Sequence, residues 1–151
     1  LVGSEMCIRD RVIMEHYSFE DIDIGIVESF EVDITEDKMK VFSQLSGDFN
    51  PMHVDYKYAI EHGYKGILVY GMLSSLFYST LVGMYLPGKK CLLNKCAVDY
   101  KQPVYIGDKL TVSGRVVDKR VGTRRIMIYG QMTNQEGVTV NTADITVSFT
   151  S

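Results

Sequence analysis

Few residues in this sequence suit a metal site: three cysteines and three histidines among 151. Cys7, Cys91 and Cys96 form no CxxC pair. An odd number without a secretory leader points to a reducing, cytoplasmic compartment and no disulfide. Cys91 and Cys96 stand five positions apart, on opposite faces of a strand, and His16, His53 and His62 lack zinc spacing. No metal is expected. A surplus of positive charge is also missing, with 16 Lys and Arg against 19 Asp and Glu. General affinity for nucleic acid, which comes from neutralising phosphates with a basic face, is therefore not expected. The opening LVGSEMCIRDR lacks an apolar core followed by a small-residue cleavage site, so it does not read as a signal peptide. It also lacks the periodicities that follow. Residues 1–11 are expected to be a disordered leader or a sequence scar, and 12–151 a single domain.

A chain of this length forms one core. It is too short for a doubly wound nucleotide domain with a separate substrate domain, or for a barrel of eight strand-helix units. Its net charge of −3 conceals an asymmetry: 12 acids against 3 bases over 12–61, but 5 acids against 11 bases over 62–151. An anionic ligand would meet the second part, through some of Lys65, Lys89, Lys90, Lys95, Lys101, Arg120, Arg124 and Arg125. The same residues also read as solvated surface. The stretch Gly66 to Gly88 carries no charge and approaches the length of a membrane span. Its Ser74, Ser75, Ser79, Thr80, Gly71 and Gly83, and its setting among alternating strands, favour a helix buried by a sheet, and no membrane partner.

Periodicity gives the order of elements. Ile26, Phe30, Val32 and Ile34 mark one face of a first strand. Thr35 can cap a helix carrying Met39, Phe42 and Leu45, with Gly47 as its stop. Asp55 can cap a second, ended by His62-Gly63, and the apolar helix runs from near Gly71 to before Pro87-Gly88. Strands follow at 91–102, around Leu110 to Val116, and around Ile126 to Met132. In the last strand the apolar set changes phase, from Val138 and Val140 to Ala143, Ile145, Val147 and Phe149, and a bulge near 141–143 would keep both sets inward. The expected class is α+β, with a curved antiparallel sheet wrapped around a long central helix. One helix leaves the edges of such a sheet open, which makes a dimer the natural cover.

Chemistry concentrates in SGDFNPMH, residues 46–53, where a carboxylate, an amide and an imidazole surround a proline. Asp48 and His53 can converge as an acid/base pair with no serine or cysteine nucleophile, and Asn50 can support them. Each also has a plainer reading: a turn-closing Asp48, a packing His53, an Asx-turn at Asn50. Gly71, at the start of the apolar helix, offers backbone N–H groups to a developing oxyanion, or is simply a packing glycine.

FSQLSGDFNPMHVD, then YGMLSSLFYSTLVGMYLPG and KQPVYIGD, together resemble the MaoC-like dehydratases and (R)-specific enoyl-CoA hydratases, over about residues 22–149. The resemblance implies a hotdog domain that forms a homodimer or a higher oligomer, with acyl-thioester sites near the interface. It places Asp48 and His53 on the catalytic pair, Asn50 on the supporting amide and Gly71 on the glycine whose N–H faces the thioester oxygen. Ser79 and Val82 fall near the acyl pocket. Tyr70 stands where many relatives have histidine, which alters pocket polarity. The implied reaction is reversible hydration of trans-2-enoyl-CoA to (3R)-3-hydroxyacyl-CoA. No cofactor is needed, coenzyme A being part of the substrate. Lys89, Lys90, Lys101 or Arg124 could meet the phosphate of coenzyme A or of an acyl carrier protein. The competing readings are a carrier-protein-linked 3-hydroxyacyl dehydratase, an acyl-thioesterase and a non-catalytic acyl-thioester binding protein.

Overall fold

The computed structural model describes residues 16–150, so the expected leader at 1–11 and the start of the domain at 12–15 lie outside the described residues. Strand β1 (Val27–Asp33) leads through Ile34 into helix α1 (Glu36–Ser46). The Thr35 hydroxyl accepts the Lys38 N–H at the start of α1, and Gly47, at φ 74°, turns the chain out at its end. Two short helices follow, α2 (Pro51–Val54) and α3 (Tyr56–Glu61). The apolar segment then contributes α4 (Gly71–Ser75), α5 (Phe77–Thr80) and a π-helical turn (Leu81–Tyr85). The remainder is antiparallel: β2 (Cys91–Tyr100), β3 (Lys109–Arg120), β4 (Arg125–Thr133) and β5 (Thr139–Phe149).

The strands form one five-stranded sheet in the order β1-β3-β4-β5-β2. This corrects the expectation of a hotdog domain with a curved sheet wrapped around a long central helix. The sheet is open and not curled, and the helical segment is short, 15 residues in three pieces. Two physical causes account for the difference. Freedom from charge in Gly66 to Gly88 reports burial, not helicity: Leu68 and Val69 run extended instead, with Leu68 bridged to Tyr105 and the Val69 N–H on the Val104 carbonyl. The sheet also covers the helix on one side only. Met72 and Leu76, one turn apart, are 72% and 41% exposed on the other.

The helix lies close to the sheet because two glycines face each other across β3 and β4, Gly114 opposite Gly130. A Cβ on Gly114 would sit 2.7 Å from the Leu81 side chain, and one on Gly130 only 2.5 Å from the Tyr78 ring. Leu81 and Tyr78 fill those gaps and join Leu110, Val112, Val116, Ile126, Ile128, Met132, Ile145 and Val147 in one core. In β5 the ladder slips by one residue: Met132 faces Asn141 and Thr133 faces Thr139, leaving Val140 unopposed. Val140 to Ala143 are buried in succession, so this bulge turns Asn141 as well as Val140 inward, while Val138 stays exposed. The Lys101 and Gln102 N–H groups both donate to the Val140 carbonyl.

Candidate active site

The loop after α1 is built by its own side chains. The Ser46 hydroxyl accepts the Asp48 N–H, Asp48 Oδ1 accepts the Asn50 N–H at 3.0 Å, and Asn50 Oδ1 accepts the Met52 N–H at 3.0 Å. Asn50 is therefore the N-cap of α2, and Pro51 occupies the first helical position, where its missing N–H costs nothing. The Asx-turn reading of Asn50 and the turn-closing reading of Asp48 both hold. Asp48 is an exposed residue of the loop.

His53, in the middle of α2, is half-buried and has a defined tautomer. Its Nδ1 lies 2.7 Å from the Leu68 carbonyl oxygen. A carbonyl only accepts, so Nδ1 carries the proton and Nε2 of the neutral ring presents a lone pair. The extended stretch within the uncharged run thus brings the Leu68 carbonyl to the imidazole.

Tyr70 ties the two candidates together. Its ring stacks on His53 at a centroid distance of 4.1 Å, and its hydroxyl donates to the Asp48 backbone carbonyl at 2.6 Å. The Phe42 ring of α1 packs against the Tyr70 ring as well, at a centroid distance of 4.7 Å. Burial pushes the Tyr70 phenol above its usual range, a hydrogen bond with Ser43 works in the opposite sense, and the Asp48 charge raises it further. Tyr70 is therefore a neutral donor at working pH, held inside the protein more than facing a ligand.

Gly71 follows directly. A Cβ at Gly71 would come within 3.1 Å of the Tyr100 ring, so any larger residue would have to push that ring aside. Gly71 opens onto a cavity of about 280 Å³ shared with Tyr64, Leu68, Ser74, Tyr100, Lys101 and Asn141. His53 and Tyr70 line a second of about 190 Å³ with Met39, Ser43 and Ile67.

Other expected residues lie elsewhere. Ser79 is exposed, and Val82 is buried in the core. Lys89 and Lys90 are exposed in the turn before β2, and the Lys90 carbonyl accepts the Thr150 N–H beyond β5. Arg124, between β3 and β4, donates to Glu20 at 2.8 Å and lies over the Phe19 ring. The Phe149 N–H donates to the Arg124 carbonyl, so Arg124 and Lys90 share one end of the sheet. Asn141, at the cavity, is eight residues along β5 from Phe149, about 25 Å at the strand rise. Lys101 alone of the four expected cations borders the Gly71 cavity. Among the described residues no group of three His, Cys, Asp or Glu side chains could hold a metal, and no helix is long and apolar enough to cross a membrane.

The spacing did not reveal a buried polar chain at the cavity floor. Tyr78 Oη donates to Asn141 Oδ1 at 2.6 Å, Asn141 Nδ2 to Ser74 Oγ at 3.3 Å, and Ser74 Oγ to the Gly71 carbonyl at 2.6 Å. The available signal was Asn141 itself, an amide at the point where the apolar phase of β5 changes.

The antiparallel sheet bears one segmented helix, and Tyr70, at that helix's start, joins the loop of Asp48 and Asn50 to the His53 ring. Residues 21–142 match the family model described as MaoC like domain, and the chain belongs to that family. It is 39% identical over 114 residues to an (R)-specific enoyl-CoA hydratase of Rhodospirillum rubrum, covering 73% of this chain and 78% of that protein. The structure resembles the (R)-hydratase from Aeromonas caviae involved in PHA biosynthesis, with TM-score 0.83, 26% identity, and coverage of 86% of this chain and 98% of the other. It is likewise similar to an R-hydratase of Pseudomonas aeruginosa in its unliganded form, with TM-score 0.85, 26% identity, and coverage of 90% and 87%.

Proposed function

We propose that this chain is a hydro-lyase that adds water reversibly to a trans-2-enoyl-CoA, giving a (3R)-3-hydroxyacyl-CoA. The observation that carries the reading is the His53 tautomer: Nδ1–H fixed on the Leu68 carbonyl leaves Nε2 as a proton acceptor, one tyrosine away from the Asp48 loop. The similarity to (R)-specific enoyl-CoA hydratases supports the substrate class.

Conjugation with the thioester carbonyl makes C3 of the substrate electrophilic. His53 Nε2 takes a proton from water as its oxygen bonds to C3, and Asp48 orients that water. The π electrons of the double bond move toward the thioester oxygen, giving an enolate-like state that the Gly71 N–H stabilises. The Asp48–His53 pair then returns one proton to C2. One proton is taken from water and one is given to carbon, so the pair ends a turnover as it began. Asn50 holds the loop that carries both groups. Tyr70 contributes by orienting the pair, and Ser79 and Val82 shape the helix behind the acyl group. Lys101 is the cation placed to meet a coenzyme A phosphate at the Gly71 cavity.

The working unit is a homodimer or a higher oligomer. Edge strand β2 carries exposed Leu92 and Leu93, 57% and 48% accessible, and the open side of the helix carries Met72 and Leu76. A reducing cytoplasm suits Cys91 and Cys96 as free thiols.

The test is incubation with crotonyl-CoA, longer enoyl-CoAs and the carrier-protein-linked equivalents, followed by chiral analysis of the products. Formation of (3R)-hydroxyacyl-CoA by the wild type but not by His53→Ala is the expected result. Release of free thiol would identify an esterase, turnover of carrier-linked substrates alone would reassign the thioester, and binding without conversion would sink the enzymatic reading.

A further inference from the structure

Ser74 holds both peptide groups that flank the Gly71 Cα. Its N–H donates to the Tyr70 carbonyl at 3.2 Å, which belongs to the same peptide plane as the Gly71 N–H. Its hydroxyl donates to the Gly71 carbonyl at 2.6 Å, fixing the next plane. The rest of the chain is forced in direction by that last acceptor. A carbonyl cannot donate, so the Ser74 hydroxyl gives its proton to Gly71 and has only lone pairs left. Asn141 must then turn its Nδ2 toward Ser74 and its Oδ1 toward Tyr78, and Tyr78 must donate. All three side chains are almost fully buried, with Ser74 at 2% and Asn141 at 1% exposure. Desolvation drives the Tyr78 phenol well above its usual range, so it stays a donor throughout the working pH range.

We propose that Asn141 is a positioning residue which, through Ser74, sets the direction of the Gly71 N–H toward the cavity. Three elements meet in this arrangement: the inward turn of Asn141 by the β5 bulge, the space Gly130 leaves for the Tyr78 ring, and the two bonds of Ser74. Ser74 and Asn141 border the Gly71 cavity, and the role assigned to them acts through the Gly71 peptide. Their effect on turnover rests on the reading of Gly71 as the oxyanion donor; their effect on its peptide does not.

The experiment uses two ways of cutting the chain. Ser74→Ala removes the last link, and the double variant Asn141→Leu/Tyr78→Phe removes the supports together, without leaving a buried hydroxyl unpaired. With crotonyl-CoA, both are expected to lower kcat about tenfold, a fraction of what losing an oxyanion donor outright costs, with KM unchanged. Ser74→Thr, which keeps the hydroxyl, restores kcat. In a weakly aligned sample the Gly71 N–H residual dipolar coupling shifts in both broken variants, while the amides of α1 keep theirs. Unchanged kcat, a rise in KM alone, or an unchanged Gly71 coupling would overturn the proposal. A wild type that hydrates no enoyl thioester would defeat the functional reading, and the Gly71 coupling would still decide whether the chain sets the peptide.

Discussion

The two ends of the helical segment Gly71–Tyr85 are built from opposite materials. At its start, buried hydroxyls and an amide interrupt the core, and an exposed glycine backbone faces a cavity. At its finish the contacts are dry: Leu81, Val82 and Leu86 are buried among aliphatic neighbours. Both ends approach the sheet through one of the paired glycines, yet only the first has polar groups to orient. Polar burial is tolerated where it is completely hydrogen-bonded, and it is found here beside the candidate chemistry. The far end of the sheet holds Lys89, Lys90 and Arg124, so these three cations lie away from Gly71, while Lys101 borders its cavity.

The sharpest way to break this contrast is at His53. His53→Ala should lower kcat about a thousandfold, equivalent to about 4 kcal/mol in the barrier, because it removes the proton acceptor. Its thermal midpoint should change little, since the ring is half-buried. Steady-state kinetics beside a melting curve measure both, and substantial residual turnover would detach the chemistry from the Asp48 loop.

The complementary change belongs to the dry end. Leu81→Ala deletes a fully buried side chain that fills the space above Gly114, and should cost about 3 kcal/mol of stability. Turnover per folded molecule should survive. Urea unfolding with activity at low denaturant separates the two quantities, and a kcat that fell with stability would show that the ends are not independent.

A third substitution lies between them. Tyr70→Phe keeps the ring on His53 and removes the hydroxyl from the Asp48 carbonyl, a bond worth about 1 kcal/mol. The expected outcome is a kcat reduced several-fold with KM held, as the loop loosens. A pure loss of stability would make Tyr70 ordinary packing.

These positions also mark what could be read from the residues in order. Caps and stops are local, so Thr35, Gly47 and Asp55 announced their helices, and Asp48, Asn50 and His53 stood within six residues of one another. The functional class was legible because three short motifs, between Phe42 and Asp108, together resemble one family. Openness of the sheet was not, since it follows from strand order, which puts β1 and β2 at opposite edges. The length of the helix was overdrawn because an apolar run looks the same whether it is helical or extended. The Asn141–Ser74 contact joins residues 67 apart, and only the bulge at Val140 turns the amide inward. The placement of the basic residues was not legible either: charge sums carry no direction, and in the fold Lys101 borders the Gly71 cavity while Lys90 and Arg124 share the other end of the sheet.

The smallest effect expected concerns that far end. Arg124 donates to Glu20, and this bond is the main reason the Glu20 carboxyl titrates below its ordinary value of 4.5. In the unfolded chain Glu20 returns to that ordinary value, so at acid pH the unfolded state binds the proton first. The pair's contribution to stability is therefore present above 4.5 and disappears as pH falls through the lower folded value. Both side chains are largely exposed, so salt and solvent keep the contribution small. Glu20→Gln should melt slightly below the wild type at pH 7, with the two curves converging in strong acid, and 1 M salt should narrow the gap at neutral pH. Arg124→Gln should repeat that pattern and leave the KM for crotonyl-CoA unchanged, because the guanidinium already lies against Glu20 and Phe19, at the end of the sheet away from Gly71. A salt-sensitive rise in KM for Arg124→Gln would instead bring the basic end into contact with the substrate's phosphates.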